Sequence, residues 1–227
     1  MMEEWKVIYR KVALVGALSV GLLSGCFGEK PEENIFVAFE NAAKQEKMLS
    51  DDVKKLEKLE KQDQELYAQI MKEGKEHNEA VIQKIDQAVA NVDEREKIIT
   101  NEKDLLEKAQ KEIKSVPDYA DKIEDKKIQK QAKKVNEAYK NRYESFKKMN
   151  ESYKQALTIE KELYEKLKVK ETKLKEIGEK VKAFNTLSEE IQKEREKFNQ
   201  YTKEYNEGKV AFYKNANIKI KEGKKDK

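Results

Sequence analysis

The chain has 227 residues, 41% of them charged and 37% hydrophobic, with 49 Lys and Arg against 45 Asp and Glu, two Pro, one Cys and one His. A net charge of only +4 with both signs interspersed excludes the usual nucleic-acid binder, which gathers excess positive charge on one face or stripe. The low apolar share excludes an enzyme built around a large globular core.

Residues 1–25 stand apart from the rest. Val12 to Leu23 reads VALVGALSVGLL, which as a helix is about 18 Å long against a hydrocarbon core of roughly 30 Å, too short to span it. Lys6, Arg10 and Lys11 precede this run and the small residues Ser24 and Gly25 follow it, the layout of a secretory signal peptide. Leu23-Ser24-Gly25-Cys26 resembles the lipobox of bacterial lipoproteins. That resemblance implies cleavage before Cys26, a diacylglyceryl group on its thiol and an N-acyl group on its new amine. Two acyl chains make a stable anchor where one is marginal. The alternative is a buried N-terminal helix with an inert Cys. Without a second Cys the exported chain forms no internal disulfide. Without residues 1–25 the net charge is about +3, so near-neutrality and periodic apolar residues favour a helical bundle over disorder.

Residues 26–31 read as a short tether. Pro31 followed by Glu32 and Glu33 predicts a helix start, since Pro is tolerated in the first turn and acids suit the positive end of the dipole. A looser stripe begins with Leu56, Leu59, Leu66 and Ile70 and continues through Val81, Ile85, Val92 and Ile99 to Ile113. Next comes a seam alternating three- and four-residue steps: Ala132, Val135, Tyr139, Arg142, Phe146, Met149, Tyr153, Ala156, Glu160, Leu163 and Leu167. Its mean spacing of about 3.5 residues is that of a left-handed supercoil. Last, Ile177, Phe184, Ile191, Phe198, Tyr205 and Phe212 recur at sevens. Their partner seam decays from Leu174 and Val181 to Ser188, Arg195, Thr202 and Lys209, which predicts a stripe narrowing toward the C-terminus.

Helix breaks are expected at Ser50, a candidate N-cap, and at Pro117. For the last break, Thr172, Gly178 and Thr186 are alternatives, with 170–173 preferred. These readings give an all-α fold, an elongated antiparallel up-and-down helical bundle or coiled coil of three to four long helices. Helices are expected at 32–49, 51–115, 118–170 and 173–214, the bundle thinning to a two-helix stalk, with a basic flexible tail at 215–227. A turn at Gly74 instead of a continuous helix makes the arrangement more compact.

His77 has no Cys or second His beside it, so no transition-metal site is expected. The chain has no nucleophile elbow and no phosphate-binding glycine loop, so no enzyme and no cofactor are expected beyond the covalent lipid. The candidate binding surface is the aromatic-rich end. There Phe198, Tyr205 and Phe212 fall on the stripe and read as core, while Tyr201 and Tyr213 fall off it and read as rings free to stack on sugars or a partner. Lys219, Lys221, Lys224 and Lys225 could attract anionic polymer or headgroups.

The L-S-G-C box, the segment Asn91 to Lys97 (NVDEREK) and the ending EKFNQYTKEYNEGKVAFYKNA from Glu196 to Ala216 resemble the cell-wall-binding lipoprotein family (YkyA-like) of low-GC Gram-positive bacteria. The resemblance implies a lipid-anchored helical bundle on the outer face of the cytoplasmic membrane. The implied partners are membrane lipid through Cys26 and wall peptidoglycan or anionic wall polymer, with no catalytic residues. Phe27 rather than Asp follows the Cys, so no inner-membrane retention signal is read. The alternative function is a membrane-tethered coiled-coil adaptor or chaperone-like protein that clasps another exported protein.

Overall fold

The computed structural model describes residues 30–73 and 78–218. Among these residues there is no strand, and the helices are α1 (Pro31–Glu46), α2 (Leu49–Glu73), α3 (Glu79–Glu112), α4 (Val116–Asp121), α5 (Lys126–Leu167) and α6 (Leu174–Asn215). The fold is an all-α helical bundle.

Local chemistry sets the helix ends. Pro31 occupies the first turn of α1 with Glu32 and Glu33 behind it. The helix expected over 51–115 is instead two: α2 ends at Glu73 and α3 begins at Glu79. Asn78 caps α3, its Oδ1 accepting from the Val81 amide at 3.0 Å. Pro117 starts only the six-residue α4, not the long helix expected from 118. That long helix, α5, is capped by Asp125, whose Oδ1 accepts from the amides of Lys127 and Ile128 at 2.8 and 3.1 Å. Gln129 reaches back to the carbonyls of Ala120, Asp121 and Ile123, satisfying acceptors that the end of a helix leaves open. Thr172 closes α5 rather than opening α6, its hydroxyl donating to the Lys166 carbonyl at 2.7 Å. The alternatives Gly178 and Thr186 lie inside α6. At the far end Asn217 takes φ 54° and the Ile218 amide donates to the Tyr213 carbonyl at 3.0 Å. That is a Schellman closure with Asn in the left-handed position that Gly more often fills.

The chain forms two compact units. The first comprises residues 51–103 and 146–196 of the described chain. In it Asp52 meets Asn101, the Leu59 carbonyl meets Asn91 and Glu73 meets Lys84. One number falls as the other rises, so α2 and α3 are antiparallel. The pairs Ile99–Asn150, Asp93–Lys161 and Asp86–Lys168 make α3 and α5 antiparallel. Glu162–Lys180 and Lys166–Glu176 do the same for α5 and α6. The unit is therefore a four-helix up-and-down bundle, where a two-helix stalk was expected.

The second unit comprises 30–50, 104–145 and 197–218 of the described chain. Its core gathers Ile35, Phe36 and Phe39 of α1, Val116 and Ala120 of α4, Tyr139 of α5, and Tyr205, Phe212 and Tyr213 of α6. Edge-to-face rings join Phe36 to Tyr213 and Phe39 to Tyr205, with centroids 4.9 and 5.6 Å apart, the geometry that ring quadrupoles favour. A Cβ at Gly208 would sit 3.0 Å from Val135 Cγ2, so the absent side chain lets α5 and α6 approach closely here.

Candidate functional site

The α5 seam carries nine apolar residues and two polar exceptions, Arg142 and Glu160. Each exception is the centre of a buried polar cluster. In the first unit α2 turns its buried face through Leu56, Glu60, Asp63, Tyr67 and Ile70, a 3.5-residue stripe that places two acids inside and leaves Leu59 and Leu66 half-buried. Arg95 of α3 is 1% exposed. Its Nη2 pairs with Glu160 of α5 and lies 3.5 Å from Asp63, while its Nε donates to Asn91 Oδ1 at 2.8 Å. Asn91 in turn donates to the Leu59 carbonyl at 2.9 Å, so the cluster also holds the α2 backbone. Tyr164 donates to Asp63 and Tyr153 to Glu60, each at 2.7 Å. Burial drives the Glu160 carboxyl well above the usual range, the Arg95 charge opposing that rise and Asp63 adding to it. Burial followed by the Asp63 charge pushes the Tyr164 phenol up as well, which keeps it a donor.

In the second unit the guanidinium of Arg142 grips both oxygens of Glu46 at 2.8 and 2.7 Å and donates from Nε to Thr202 Oγ1 at 2.9 Å. Its Cζ lies over the Phe198 ring, 4.7 Å from the centroid. One layer away, Lys209 and Tyr213 both donate to Glu40 Oε1, at 3.0 and 2.9 Å. The α6 seam that reads as decaying is therefore continued inside by polar residues: Ser188, Arg195, Thr202 and Lys209 are 3 to 7% exposed. The expected narrowing is corrected, because charges and hydroxyls with partners occupy interior positions as apolar residues do, as Thr202 does with Arg142 of α5, Lys209 with Glu40 of α1 and Ser188 with the Phe184 carbonyl of its own helix.

Phe198, Tyr205 and Phe212 are core, as the stripe predicts. Tyr213 is not the outward ring expected: at 2% exposure, with its hydroxyl on Glu40, it offers no face for stacking. Tyr201 is half-buried. Lys219, Lys221, Lys224 and Lys225, the box Leu23, Ser24, Gly25 and Cys26, and His77 lie outside the described residues. Among the described residues no three His, Cys, Asp or Glu side chains are placed to hold a metal ion, and no helix is long and apolar enough to cross a membrane.

Arg95, Asp63, Glu160 and Arg142 are each at most 2% exposed, so the chemistry of the two clusters is internal charge pairing between helices. The surface of the second unit does offer a groove between α5 and α6. Val135, Ala138, Gly208 and Ala211 line it together with Glu137, Glu204, Glu207, Gln131 and Asn141. No solved structure matches the chain. A protein of Bacillus subtilis (strain 168) described as "Uncharacterized lipoprotein YkyA" is 28% identical over 125 residues, 55% of this chain and 56% of that protein. The chain thus aligns with just over half the length of that curated relative. Residues 30–215, which include all six helices and both polar clusters, match the model of the family described as "Putative cell-wall binding lipoprotein", and the chain belongs to that family.

Proposed function

We propose that the chain is a non-enzymatic exported lipoprotein, anchored through Cys26 to the outer face of the cytoplasmic membrane, whose helical body associates with the cell wall. The match to the family over residues 30–215 carries this reading, and the L-S-G-C box at Leu23 to Cys26 supports the anchor. Because Phe198, Tyr205, Phe212 and Tyr213 are spent on the core, wall contact falls to the outer surface. One candidate there is the half-buried Tyr201; by their charge, Lys219, Lys221, Lys224 and Lys225 are the others, which would attract anionic wall polymer with a salt-sensitive strength.

Every described helix lies within residues 30–218, so a chain starting at residue 27 suits the test. It is expected to pellet saturably with purified peptidoglycan that retains its anionic polymers. Alanine at the four lysines is expected to weaken pelleting several-fold at low salt. Absence of pelleting under all of these conditions would refute wall binding and turn attention to an exported protein partner. In cells, Cys26→Ser is expected to abolish both acylation and signal-peptide removal, read as loss of labelled fatty acid and a larger band. Normal processing of that variant would refute the anchor.

A further inference from the structure

We propose that Glu160, set against the Asp63 carboxylate inside the first unit, holds one titrating proton, and that this proton fastens α2 to α5 so that the contact tightens in acid and loosens as the pH rises. The two carboxyls come from different helices, are 1% and 0% exposed, and meet one guanidinium nitrogen of Arg95. Ionised together, they leave one excess negative charge in an apolar interior. One proton brings the layer to neutrality, much as like-charged carboxyl pairs elsewhere share a proton.

Hydrogen bonding points the same way. Glu160 Oε2 is buried and has no hydrogen-bond partner. A carboxylate there can only accept, and the neighbouring Asp63 carboxylate can only accept too. A proton on Glu160 turns one of its acceptors into a donor, and the Asp63 carboxylate is a hydrogen-bonding neighbour of the Glu160 side chain. Arg95 and Asp63 are the charges that act on Glu160, and burial is the largest cause of its raised carboxyl. Tyr67 of α2 also lies within the field of Asp63, burial and then that charge raising its phenol, and other polar groups around the pair are engaged. Tyr164 of α5 donates to Asp63, Tyr153 of α5 donates to Glu60 of α2, and Asn91 of α3 bonds Arg95 and the Leu59 carbonyl. The register fixed by Glu162–Lys180 puts the apolar Val181 and Phe184 of α6 at this level. Lys180 itself is engaged with Glu162.

The sign follows from linkage. A carboxyl whose folded value is raised holds its proton in the folded state over a range where the unfolded chain has lost it. Its contribution is full below the unfolded value, about 4.3, and is lost as the pH rises through the folded value. The loss reaches up to tenfold in the opening equilibrium per pH unit.

Hydrogen exchange of the α2 amides from about pH 4.5, near the unfolded carboxyl value, up to pH 8.5 tests this, with His77→Gln in every sample to remove the chain's single histidine. After correction for the intrinsic exchange rate, protection of residues 56–70 is expected to fall as the pH rises, by up to tenfold per pH unit between the unfolded and folded values of the Glu160 carboxyl. Glu160→Gln supplies an amide donor to Asp63 and leaves one carboxylate for one guanidinium. It is expected to keep protection high and to flatten the pH dependence. Asp63→Asn, which neutralises the pair from α2, is expected to flatten it as well. Flat protection in the parent would overturn the proposal. So would an undiminished slope in either folded variant, or failure of both variants to fold.

Discussion

Replacing Arg95 by Met is expected to lower the free energy of unfolding by about 3 to 5 kcal/mol, the range for removing one partner of a buried ion pair. Met roughly preserves the volume of the guanidinium stem, so the loss reports charge rather than a cavity. Asp63 and Glu160 then face each other with no cation, and Asn91, which accepts from Arg95 Nε and donates to the Leu59 carbonyl, loses half of its support. Equilibrium urea unfolding at pH 7 measures the loss, and the midpoint is expected to move much more than the slope. Adding Glu160→Leu and Asp63→Leu in the Met background is expected to recover most of it, because a buried ionic group replaced whole by apolar side chains is often neutral or stabilising. Failure to recover would mean that the cluster contributes more than pairing, through the Tyr164 and Asn91 bonds that the apolar triple variant cannot make. Lower pH is expected to shrink the single-variant penalty, since the abandoned Glu160 carboxyl takes up a proton.

The α5 seam was legible because a 3.5-residue period survives two polar members out of eleven, and the structure buries ten of those positions from Ala132 to Leu163. The family segment at the C-terminal end was legible as residues, although the role assigned to Tyr213 was not. It lies one position off the 198–205–212 count, and a seven-residue count describes a narrow two-helix seam. Here α6 also meets α1, so its buried stripe is wider, and Tyr213 takes Glu40 and the edge of Phe36. The same limit hid Glu60, Asp63 and Lys209. An apolar stripe is read by what is hydrophobic, whereas these side chains are interior because of partners 93 to 169 residues away, which no local window contains. The 56–60–63–67–70 spacing on α2 was nevertheless present in the sequence and would have found them had charge been allowed at a core position. The break between α2 and α3 was weakly marked for a different reason. One Gly in a helix costs only about 1 kcal/mol, so Gly74 alone does not decide, and the stronger signal was Asn78 as an N-cap. The short α4 was hidden because Pro117 marks a start and says nothing of how soon the helix stops. Asp125, with its two capping bonds, carried that second signal.

Arg142 makes a sharper demand on side-chain shape than Arg95, and Arg142→Lys is expected to cost about 2 to 3 kcal/mol although it conserves charge. The guanidinium does three things in one plane. Two nitrogens grip the two oxygens of Glu46, the third donates to Thr202, and its face covers Phe198. An ammonium at the end of a flexible stem can replace one Glu46 bond, but it cannot reach Thr202 at the same time and has no face to lay on the ring. Arg142→Ala adds a cavity and leaves the Glu46 carboxylate with only the Tyr139 hydroxyl, 2.9 Å away, for an expected loss of about 3 to 5 kcal/mol. Urea midpoints of the parent, Lys and Ala proteins give the order. A Lys variant as stable as the parent would show that charge alone matters at this position. The Glu46→Gln protein separates the two contributions further, because it keeps an acceptor for one guanidinium nitrogen and removes the charge. Its loss is expected to fall below that of Arg142→Ala. Unlike the pair in the first unit, this site matches one cation to one carboxylate: burial alone would lower the Arg142 value, but the Glu46 charge and hydrogen bonds, joined by Tyr139 and Tyr205, together hold it above its ordinary value. The penalty for Arg142→Lys is therefore expected to stay constant between pH 6 and 8.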